Sequence, residues 1–273
     1  MDSPSTLLRR YGLRAKKSWG QCFLHDPSVL DRIVAIAGVG PDDAVLEIGA
    51  GLGSLTARLA GAARRVIAVE RDRELCAVLR AELGSCAKVE VLEANALTLE
   101  LAGLGEPLLV VGNLPYNIAS PLLFRILDQR AAVRRATLML QRELAERLAA
   151  PPGGRLYGAP SVLLQDAAEV RLCFVVPGGA FVPRPRVDSA VLRIDLRAAS
   201  LSGVPFASLQ RVVHAAFRQR RKTLRRALES TFGAGPVARA LERSGVDGGR
   251  RGETLSVQEF GALAQALADE APP

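Results

Sequence analysis

The stretch AVLEIGAGLGSL, residues 44–55, decides the fold class of this chain. Ala44–Ile48 is a short apolar run typical of a buried strand, and a glycine-rich turn joins it to a helical pattern that begins at Ser54. Glycine lets a backbone approach a ligand closely. A strand, a glycine turn and a helix in this order therefore predict a cofactor-binding loop at the edge of an α/β sheet.

The spacing of the glycines indicates which class of cofactor the turn binds. Gly49, Gly51 and Gly53 follow the pattern G-x-G-x-G, whereas a dinucleotide loop needs G-x-G-x-x-G. Glu70 ends the next apolar run, where an acid can accept hydrogen bonds from both hydroxyls of a ribose. NAD and S-adenosylmethionine both offer such a ribose, and the glycine spacing favours S-adenosylmethionine.

Strand-like and helix-like patterns alternate along most of the chain, which indicates βαβ units. We predict an α/β fold: a mainly parallel, Rossmann-like sheet with helices on both faces. After Leu196 only helical patterns follow, the first of them over Phe206–Glu229 as one long or broken stretch. The predicted domains are a cofactor-binding α/β domain over 1–197, with a basic and turn-like N-terminal arm, and a small all-helical domain over 205–273.

The charge of the chain indicates a polyanionic partner. There are 36 Lys and Arg against 28 Asp and Glu, and residues 196–273 alone carry 12 basic and 7 acidic side chains. The densest cluster lies within residues 218–226 and would cover more than one face of a helix. Few acids lie among these bases, so we expect phosphate contacts. The candidate RNA-binding residues there are Arg218, Arg220, Arg221, Lys222 and Arg225.

Composition excludes several classes of protein. No apolar run reaches the roughly 18 residues of a membrane-spanning helix, and no apolar segment follows the first basic residues, so we expect neither a membrane protein nor a secretory signal. The four Cys form no C-x-x-C pair and only two His occur, so we expect no metal site. We expect a cytoplasmic monomer.

The tetrapeptide Asn113-Leu114-Pro115-Tyr116 follows the fourth strand of the predicted sheet. Ligands bind beyond the carboxyl ends of parallel strands, so this is where a reaction is expected. The Asn113 side-chain oxygen and the Leu114 carbonyl can accept the two N–H bonds of an exocyclic amine. Pro115 stiffens the turn, and Tyr116 can stack on a base.

Further motifs extend over residues 16–224: KKSWGQCFL from Lys16, Tyr157-Gly158, FVPRPRVDS from Phe181, and FRQRRKTL from Phe217. Together with the glycine turn and the tetrapeptide, they make the chain resemble the small-subunit ribosomal RNA adenine dimethyltransferases. The resemblance implies transfer of methyl groups from S-adenosylmethionine to N6 of two adjacent adenosines in 16S ribosomal RNA, during assembly of the small subunit. It also implies that the domain over 1–197 is a Rossmann-like S-adenosylmethionine-dependent methyltransferase domain and that the domain over 205–273 is an RNA-binding domain. The implied partner is small-subunit ribosomal RNA or the pre-30S particle.

The resemblance also assigns residues to the site. It implies that the cofactor contacts Cys22, Leu24, Gly49, Glu70, Asn95 and Asn113, to which the glycine turn adds Gly51. It implies that Phe181 faces Tyr116 across a flipped adenine, so that stacking offsets the cost of unstacking the base from RNA. Arg184 and Arg186 flank the proline-rich loop after Phe181, where they could hold RNA beside the target.

Three positions depart from the family pattern, which usually has Asn at 22, Pro at 50 and Asp at 95 where this chain has Cys22, Ala50 and Asn95. Three alternatives stay open. One is a resistance-type methylase of a single adenine in large-subunit (23S) RNA, and another is a non-catalytic ribosome-assembly factor. The third is a nicotinamide oxidoreductase, which the glycine spacing disfavours.

Overall fold

The computed structural model describes residues 1–105, 107–115 and 118–270. Around the opening motif it has the predicted order of a strand over Ala44–Ile48, a glycine turn, and a helix that begins at Ser54. The strand is buried along its whole length, as expected for a parallel strand that is covered on both faces.

Nine strands occur in the described part of the chain. In chain order, β1 to β9 are Phe23–Leu24, Ala44–Ile48, Arg65–Glu70, Val89–Glu93, Leu108–Asn113, Val133–Gln141, Ala168–Val176, Phe181–Val182 and Ser189–Leu196. Seven of these described strands form one sheet in the order β4-β3-β2-β5-β6-β9-β7. Strands β2 to β6 are parallel and β9 runs antiparallel to β6. The predicted, mainly parallel α/β fold is confirmed.

The α-helices of the same described residues, α1 to α11, are Pro4–Arg10, Pro27–Ala37, Ser54–Ala62, Arg73–Leu83, Ala119–Asp128, Arg142–Leu148, Ala159–Ala167, Phe206–Arg218, Leu224–Phe232, Ala234–Ser244 and Val257–Ala268. Local sequence explains where several of them begin. The carboxylate of Asp26 accepts hydrogen bonds from the amides of Ser28 and Val29 at the start of α2, and Asp72 accepts one from the amide of Glu74 in α4. Across these described residues, every helix is too short or too polar to span a membrane.

The chain divides into two compact units. The first contains residues 1–145 and 171–196, and it holds the sheet; the second contains residues 146–170 and the helical region from residue 197 onward. The core of the first unit is built from buried aliphatic side chains of the parallel strands and of the helices that cover them, such as Val45, Leu59 and Leu109. These helices and strands place the carboxyl ends of β2, β3 and β5 at one edge of the sheet.

The division differs from the predicted domains of 1–197 and 205–273 in one segment. Residues 146–170 belong to the second unit because α7 packs against α8 and α11. Asp166 also fastens the segment that the sequence suggests as a linker. Its carboxylate accepts a hydrogen bond from the amide of Ser202 over 2.7 Å, and its carbonyl accepts one from the amide of Leu201 over 2.9 Å.

The prediction that residues 1–25 are turn-like is wrong in part, since residues 4–10 form helix α1. Ser3 caps this helix, and Leu7 is fully buried against Leu75 and Val78 of α4. The Tyr11 hydroxyl donates a hydrogen bond to Glu82 over 2.7 Å. Tertiary packing therefore stabilises a helix that is too short to be recognised from its periodicity.

Candidate active site

All three glycines of the turn after β2 have positive φ angles. Gly49 and Gly51 have φ angles of +75° and +58°, in the left-handed region that side chains other than glycine rarely adopt. A Cβ on Gly49 would lie 3.3 Å from the carbonyl oxygen of Asn113, and one on Gly51 would lie 3.2 Å from the ring of Phe23. The turn thus brings its backbone close to the end of β5 and to β1.

Glu70 ends β3 beside this turn and is 8% exposed. Its Oε2 accepts a hydrogen bond from the amide of Gly51 over 3.0 Å, and its Oε1 accepts from the amides of Arg71 and Asp72 over 2.8 and 2.9 Å. Burial nevertheless raises the pKa of this carboxyl. The three amides fix the side chain, and its remaining lone pairs can accept from the hydroxyls of a ribose.

Asn113 is the last residue of β5 and pairs with Met139 of β6. Its side-chain Nδ2 donates a hydrogen bond to the backbone carbonyl of Cys22 over 3.2 Å. Leu114 follows, 1% exposed, with its amide bonded to the carbonyl of Met139 over 3.1 Å. Because its nitrogen is committed to Cys22, the side chain of Asn113 has a defined orientation at the edge of the sheet.

A two-stranded sheet joins two of the sequence motifs. In it, β1 and β8 are antiparallel, with Phe23 opposite Val182 and Leu24 opposite Phe181. Leu24 is 6% exposed and Phe181 is 3% exposed. The segment that begins KKSW and the segment that begins FVPR therefore meet at the same place, which their separation in the chain does not reveal.

One pocket in the first unit brings together most of the predicted site. The predicted residues that line it are Cys22, Leu24, Gly49, Gly51, Glu70, Asn95, Asn113, Leu114, Pro115 and Phe181. Tyr116 lies outside the described residues, so the pairing of Tyr116 with Phe181 across a base stays a prediction. Phe181 and Asn113 both line the wall of this pocket.

Two acids in this pocket bear on which cofactor it fits. Glu47 also lines it, is 2% exposed, and has a buried Oε2 with no hydrogen-bond partner in the described part of the chain. Burial raises the pKa of Glu47 to about 8, and the charge of Glu70 acts in the same direction. A positively charged ligand favours the ionised form of such carboxyls, whereas the pyrophosphate of NAD opposes it. The residues present fit S-adenosylmethionine, which has a ribose and a positive sulfonium.

The structure shows what surrounds each of the three residues that depart from the family pattern. Cys22 reaches Asn113 through its backbone carbonyl, which any residue at this position would supply, and burial raises the pKa of its thiol. Ala50 is 7% exposed and packs with Ala68 and Leu79. Asn95 is exposed, and its Oδ1 already accepts a hydrogen bond from the amide of Leu97 over 3.1 Å.

Arg184 and Arg186 are exposed in the loop between β8 and β9. The carboxylate of Asp188 accepts a hydrogen bond from the amide of Gly178 over 3.1 Å, and its carbonyl accepts one from the amide of Arg142 over 3.0 Å. Both bonds hold Asp188, at the end of the loop that leads into β9. Two cations are therefore presented on a loop that starts at Phe181 in the pocket wall.

The other predicted RNA-binding residues lie in the second unit. They do not share one helix, because α8 ends at Arg218 and α9 begins at Leu224, with Gln219 outside helical backbone angles. Arg218, Arg221, Lys222 and Arg225 are exposed. We call residues 218–225 the basic turn.

Arg220 differs from its neighbours in the basic turn. Its Nη2 donates hydrogen bonds to the carbonyls of Arg155 and Tyr157 over 2.9 and 3.2 Å, and it forms an ion pair with Glu253 at 3.3 Å. The Gly153 amide also donates to the Glu253 carbonyl over 2.7 Å. Arg220 thus fastens the loop over residues 151–157 to the basic turn.

Sequence reasoning missed the residues that hold the segment before β1. Trp19 and Gln21 line the pocket, with the guanidinium of Arg71 3.9 Å from the centre of the Trp19 ring. Gln21 donates a hydrogen bond to Asp72 over 2.8 Å. The one available signal was Asp72 at the start of a helical pattern, which predicts a helix cap and says nothing of a contact with Gln21.

Comparisons with known proteins agree with this geometry. The family described as Ribosomal RNA adenine dimethylase matches residues 12–269. The Ribosomal RNA small subunit methyltransferase A of Anaeromyxobacter sp. (strain K) is 52% identical over 279 residues, which cover 97% of this chain and 98% of the relative. The protein of the same name from Myxococcus xanthus (strain DK1622) is 45% identical over 278 residues, covering 100% of this chain and 98% of the relative.

Two solved structures are similar over most of the chain. A dimethyladenosine transferase from Plasmodium falciparum has a TM-score of 0.78 at 25% identity, covering 88% of this chain and 95% of that one. The 23S rRNA methyltransferase ErmE has a TM-score of 0.73 at 29% identity, covering 90% of this chain and 99% of that one. The resemblance drawn from the motifs is confirmed. With matches that extend over nearly its whole length, the chain belongs to the ribosomal RNA adenine dimethylase family.

Proposed function

We propose that this protein transfers methyl groups from S-adenosylmethionine to N6 of two adjacent adenosines in small-subunit ribosomal RNA, giving N6,N6-dimethyladenosine. The observation that carries the proposal is the position of Asn113. Its amide is oriented by the Cys22 carbonyl, in the same pocket as Glu70 and the glycine turn. The identity of 52% to a relative named for the small subunit supports this choice of RNA.

The chemical task is to make the adenine amine nucleophilic, because its lone pair is delocalised into the ring. The Asn113 side-chain oxygen and the Leu114 carbonyl accept the two N–H bonds, which directs the lone pair away from them and favours a pyramidal nitrogen. Pro115 supports this arrangement, since its carbonyl accepts a hydrogen bond from the amide of Ile118 over 3.1 Å. Positioning of this kind can remove about 7–11 kcal/mol from a bimolecular barrier.

S-adenosylmethionine, when bound, supplies a methyl group on a sulfonium, whose sulfur departs as a neutral thioether. Glu70 would hold the ribose, and the backbone of Gly49 and Gly51 would leave room for the cofactor against the strand ends. Attack by the N6 lone pair on the methyl group would form the C–N bond as the C–S bond breaks, and the proton that the cationic amine then loses would pass to solvent. Because this amine is strongly acidic, Asn113 needs only to accept a hydrogen bond from it, and a dedicated general base is not required.

The target adenine must leave the RNA helix to reach this pocket. Phe181, in the pocket wall, and Tyr116 are proposed to stack on the flipped base, which offsets part of the cost of unstacking. Arg184 and Arg186, on the loop after Phe181, are proposed to contact phosphates beside it. These roles rest on exposure and on the pocket lining.

The second unit is proposed to bind ribosomal RNA through the basic turn, in which Arg218, Arg221, Lys222 and Arg225 are exposed. We propose the assembling small-subunit particle in the cytoplasm as the substrate, and a single copy of the chain as the active form. Light scattering of the purified protein, alone and with cofactor, tests the last point.

The decisive experiment supplies labelled cofactor and small subunits that lack the modification, with large subunits in parallel. We expect two adjacent dimethyladenosines in small-subunit RNA, located by mass spectrometry of RNA fragments. Modification of one adenine in large-subunit RNA would instead support the activity in the name of ErmE. Particle binding without methyl transfer would support an assembly factor.

A further inference from the structure

Residues 16–22 form one wall of the cofactor pocket, through Trp19, Gly20, Gln21 and Cys22. The regular structure in this segment is a single 3₁₀ turn over Lys17–Trp19. A wall of this kind depends on side-chain contacts to keep its place. Two of these contacts, from Lys16 and Gln21, meet at Asp72, while Lys16 also pairs with Glu74 over 2.6 Å and Arg71 lies over the Trp19 ring.

The Asp72 side chain is 3% exposed. Its Oδ1 accepts a hydrogen bond from Lys16 Nζ and its Oδ2 accepts one from Gln21 Nε2, each over 2.8 Å. Gln21 also accepts, through Oε1, from the amide of Lys16 over 2.8 Å. Burial works to raise the pKa of Asp72, but the bonds from Lys16 and Gln21 outweigh it and lower that pKa. The carboxylate is thus ionised, and it joins this segment to the start of α4, since Oδ1 also accepts from the amide of Glu74 over 3.1 Å.

Two short paths lead from Asp72 to the reacting groups. Its backbone amide donates to Glu70, the acid that faces the ribose, over 2.9 Å. Its side chain holds Gln21, and the next residue, Cys22, offers the carbonyl to which Asn113 Nδ2 donates. Nothing in the sequence pattern alone connects Asp72 with Asn113.

Resting on the function proposed above, we propose that Asp72 is a positioning residue: through Gln21 and the carbonyl of Cys22, it sets the orientation of the Asn113 amide toward the adenine amine. An amide can present either its oxygen or its NH2 group to a ligand. The Cys22 carbonyl binds the NH2 group, which directs the oxygen to the substrate. If the Cys22 carbonyl shifts, the amide can turn over and place a donor against the N–H bonds of adenine.

Asp72→Asn is the informative substitution. Asn is as good a helix cap as Asp, so the start of α4 is retained. With its oxygen bonded to the Glu74 amide and to Lys16, the new NH2 group takes the place of Oδ2 and faces the Nε2 donor of Gln21, so the segment loses that bond. Gln21→Met removes the same contact from the other side while nearly preserving side-chain length.

Asp43→Asn is the matched control. Asp43 also accepts from one backbone amide, that of Gly40 over 2.8 Å, and from one basic side chain, that of Arg134 over 2.7 Å. It lies just before β2, at the end of the strand opposite the glycine turn. The same chemical change is therefore made away from the pocket.

The test combines three measurements on the full-length chain. Single-turnover methyl transfer to small subunits at saturating cofactor gives the chemical step, calorimetry gives the cofactor Kd, and the ¹H–¹⁵N spectrum reports the side-chain amide of Asn113, assigned with Asn113→Ala. We expect Asp72→Asn and Gln21→Met each to slow the chemical step at least tenfold and to shift the Asn113 amide signal, while the cofactor Kd changes less than threefold. The double variant should be no more than twofold slower than the slower single variant, because both act on one contact.

Asp43→Asn should alter neither the rate nor the Asn113 signal. Equal losses in Asp72→Asn and Asp43→Asn, an unmoved Asn113 signal, or a rate loss fully explained by a weaker cofactor Kd would overturn the positioning role. If the unsubstituted chain fails to methylate small subunits, the proposed function fails, while the Asn113 signal still decides whether Asp72 controls that side chain.

Discussion

The amide of Gly51 donates a hydrogen bond to Oε2 of Glu70 over 3.0 Å. This bond links the turn after β2 to the end of β3, so the loop that admits the cofactor and the acid that faces its ribose are held as one piece. Of the two residues, Glu70 can be substituted without backbone strain, whereas Gly51 has a positive φ that other residues rarely adopt.

Replacing Glu70 by Ala should weaken binding of S-adenosylmethionine at least fivefold, which is about 1 kcal/mol, because the ribose loses its acceptor and Gly51 loses its partner. Calorimetric titration measures the effect. Glu90→Ala is the control, since Glu90 lies on the neighbouring strand β4 in an exposed ion pair with Arg65. Binding of NAD in place of S-adenosylmethionine would contradict the cofactor assignment.

Restoring the family residues at two positions should hold or tighten cofactor binding without changing the product. In Asn95→Asp, one oxygen can keep the bond to the Leu97 amide while the other accepts from the adenine amine of the cofactor. In Cys22→Asn, the carbonyl that holds Asn113 is unchanged. A hydrogen bond is worth about 0.5–1.5 kcal/mol, so we expect Kd values at most about tenfold lower. Loss of activity in both variants would show that these positions serve another purpose.

We expect the exposed residues of the basic turn to contact RNA and Arg220 to have a structural role. Arg221→Ala, Lys222→Ala and Arg225→Ala, combined, should weaken binding to the small-subunit particle and reduce the slope of log K against log salt by nearly one for each lost phosphate contact. Cofactor affinity should stay the same. Binding assays across a range of salt concentrations measure the slope, and an unchanged slope would mean that these side chains contact no phosphate.

Arg220→Ala should act differently from its neighbours. Because Arg220 bonds the carbonyls of Arg155 and Tyr157, its loss should lower the unfolding temperature of the protein and loosen the loop over residues 151–157. Limited proteolysis of that loop and a thermal scan provide the two measurements. A variant with full thermal stability and a reduced salt slope would assign Arg220 to RNA instead.

Glu47→Gln should change how stability depends on pH. Burial raises the pKa of Glu47 from 4.5 to about 8 in the folded chain, so between these values the folded chain binds a proton that the unfolded chain has lost. Stability from this group therefore falls as pH rises from about 4.5 to 8, by at most about 1.4 kcal/mol per pH unit. Denaturant unfolding at several pH values should show the unsubstituted chain losing stability relative to Glu47→Gln over this window, and a constant difference would contradict a buried, protonated Glu47.

The parts of the site that follow from local sequence could be predicted. The glycine turn is encoded within residues 44–55, and Asn113 follows a strand of the same parallel sheet, so both had to lie at the edge formed by the carboxyl ends of the strands. The same holds for Glu70 at the end of β3. Hydrophobic periodicity and the parallel topology together were enough to bring these residues to one pocket.

Other features depend on contacts between distant segments and could not be predicted. β1 and β8 have two residues each, too few to show a pattern, and their pairing is specified by the fold around them. The bond between Gln21 and Asp72 joins two side chains whose local sequence suggests only a turn and a helix cap. In the sequence, Arg220 looks like the other basic residues around it. Only its hydrogen bonds to the loop over residues 151–157 distinguish it.

The pairing of Leu24 with Phe181 has a consequence for biosynthesis. While the chain emerges from the ribosome, the glycine turn and most of the parallel strands are complete long before Phe181 is made. Until then β1 has no partner strand, and the pocket lacks the wall that Phe181 supplies. A nascent chain therefore completes its cofactor site only when translation has passed residue 182, which delays methyl-donor binding until the parallel strands that support it have already been synthesised.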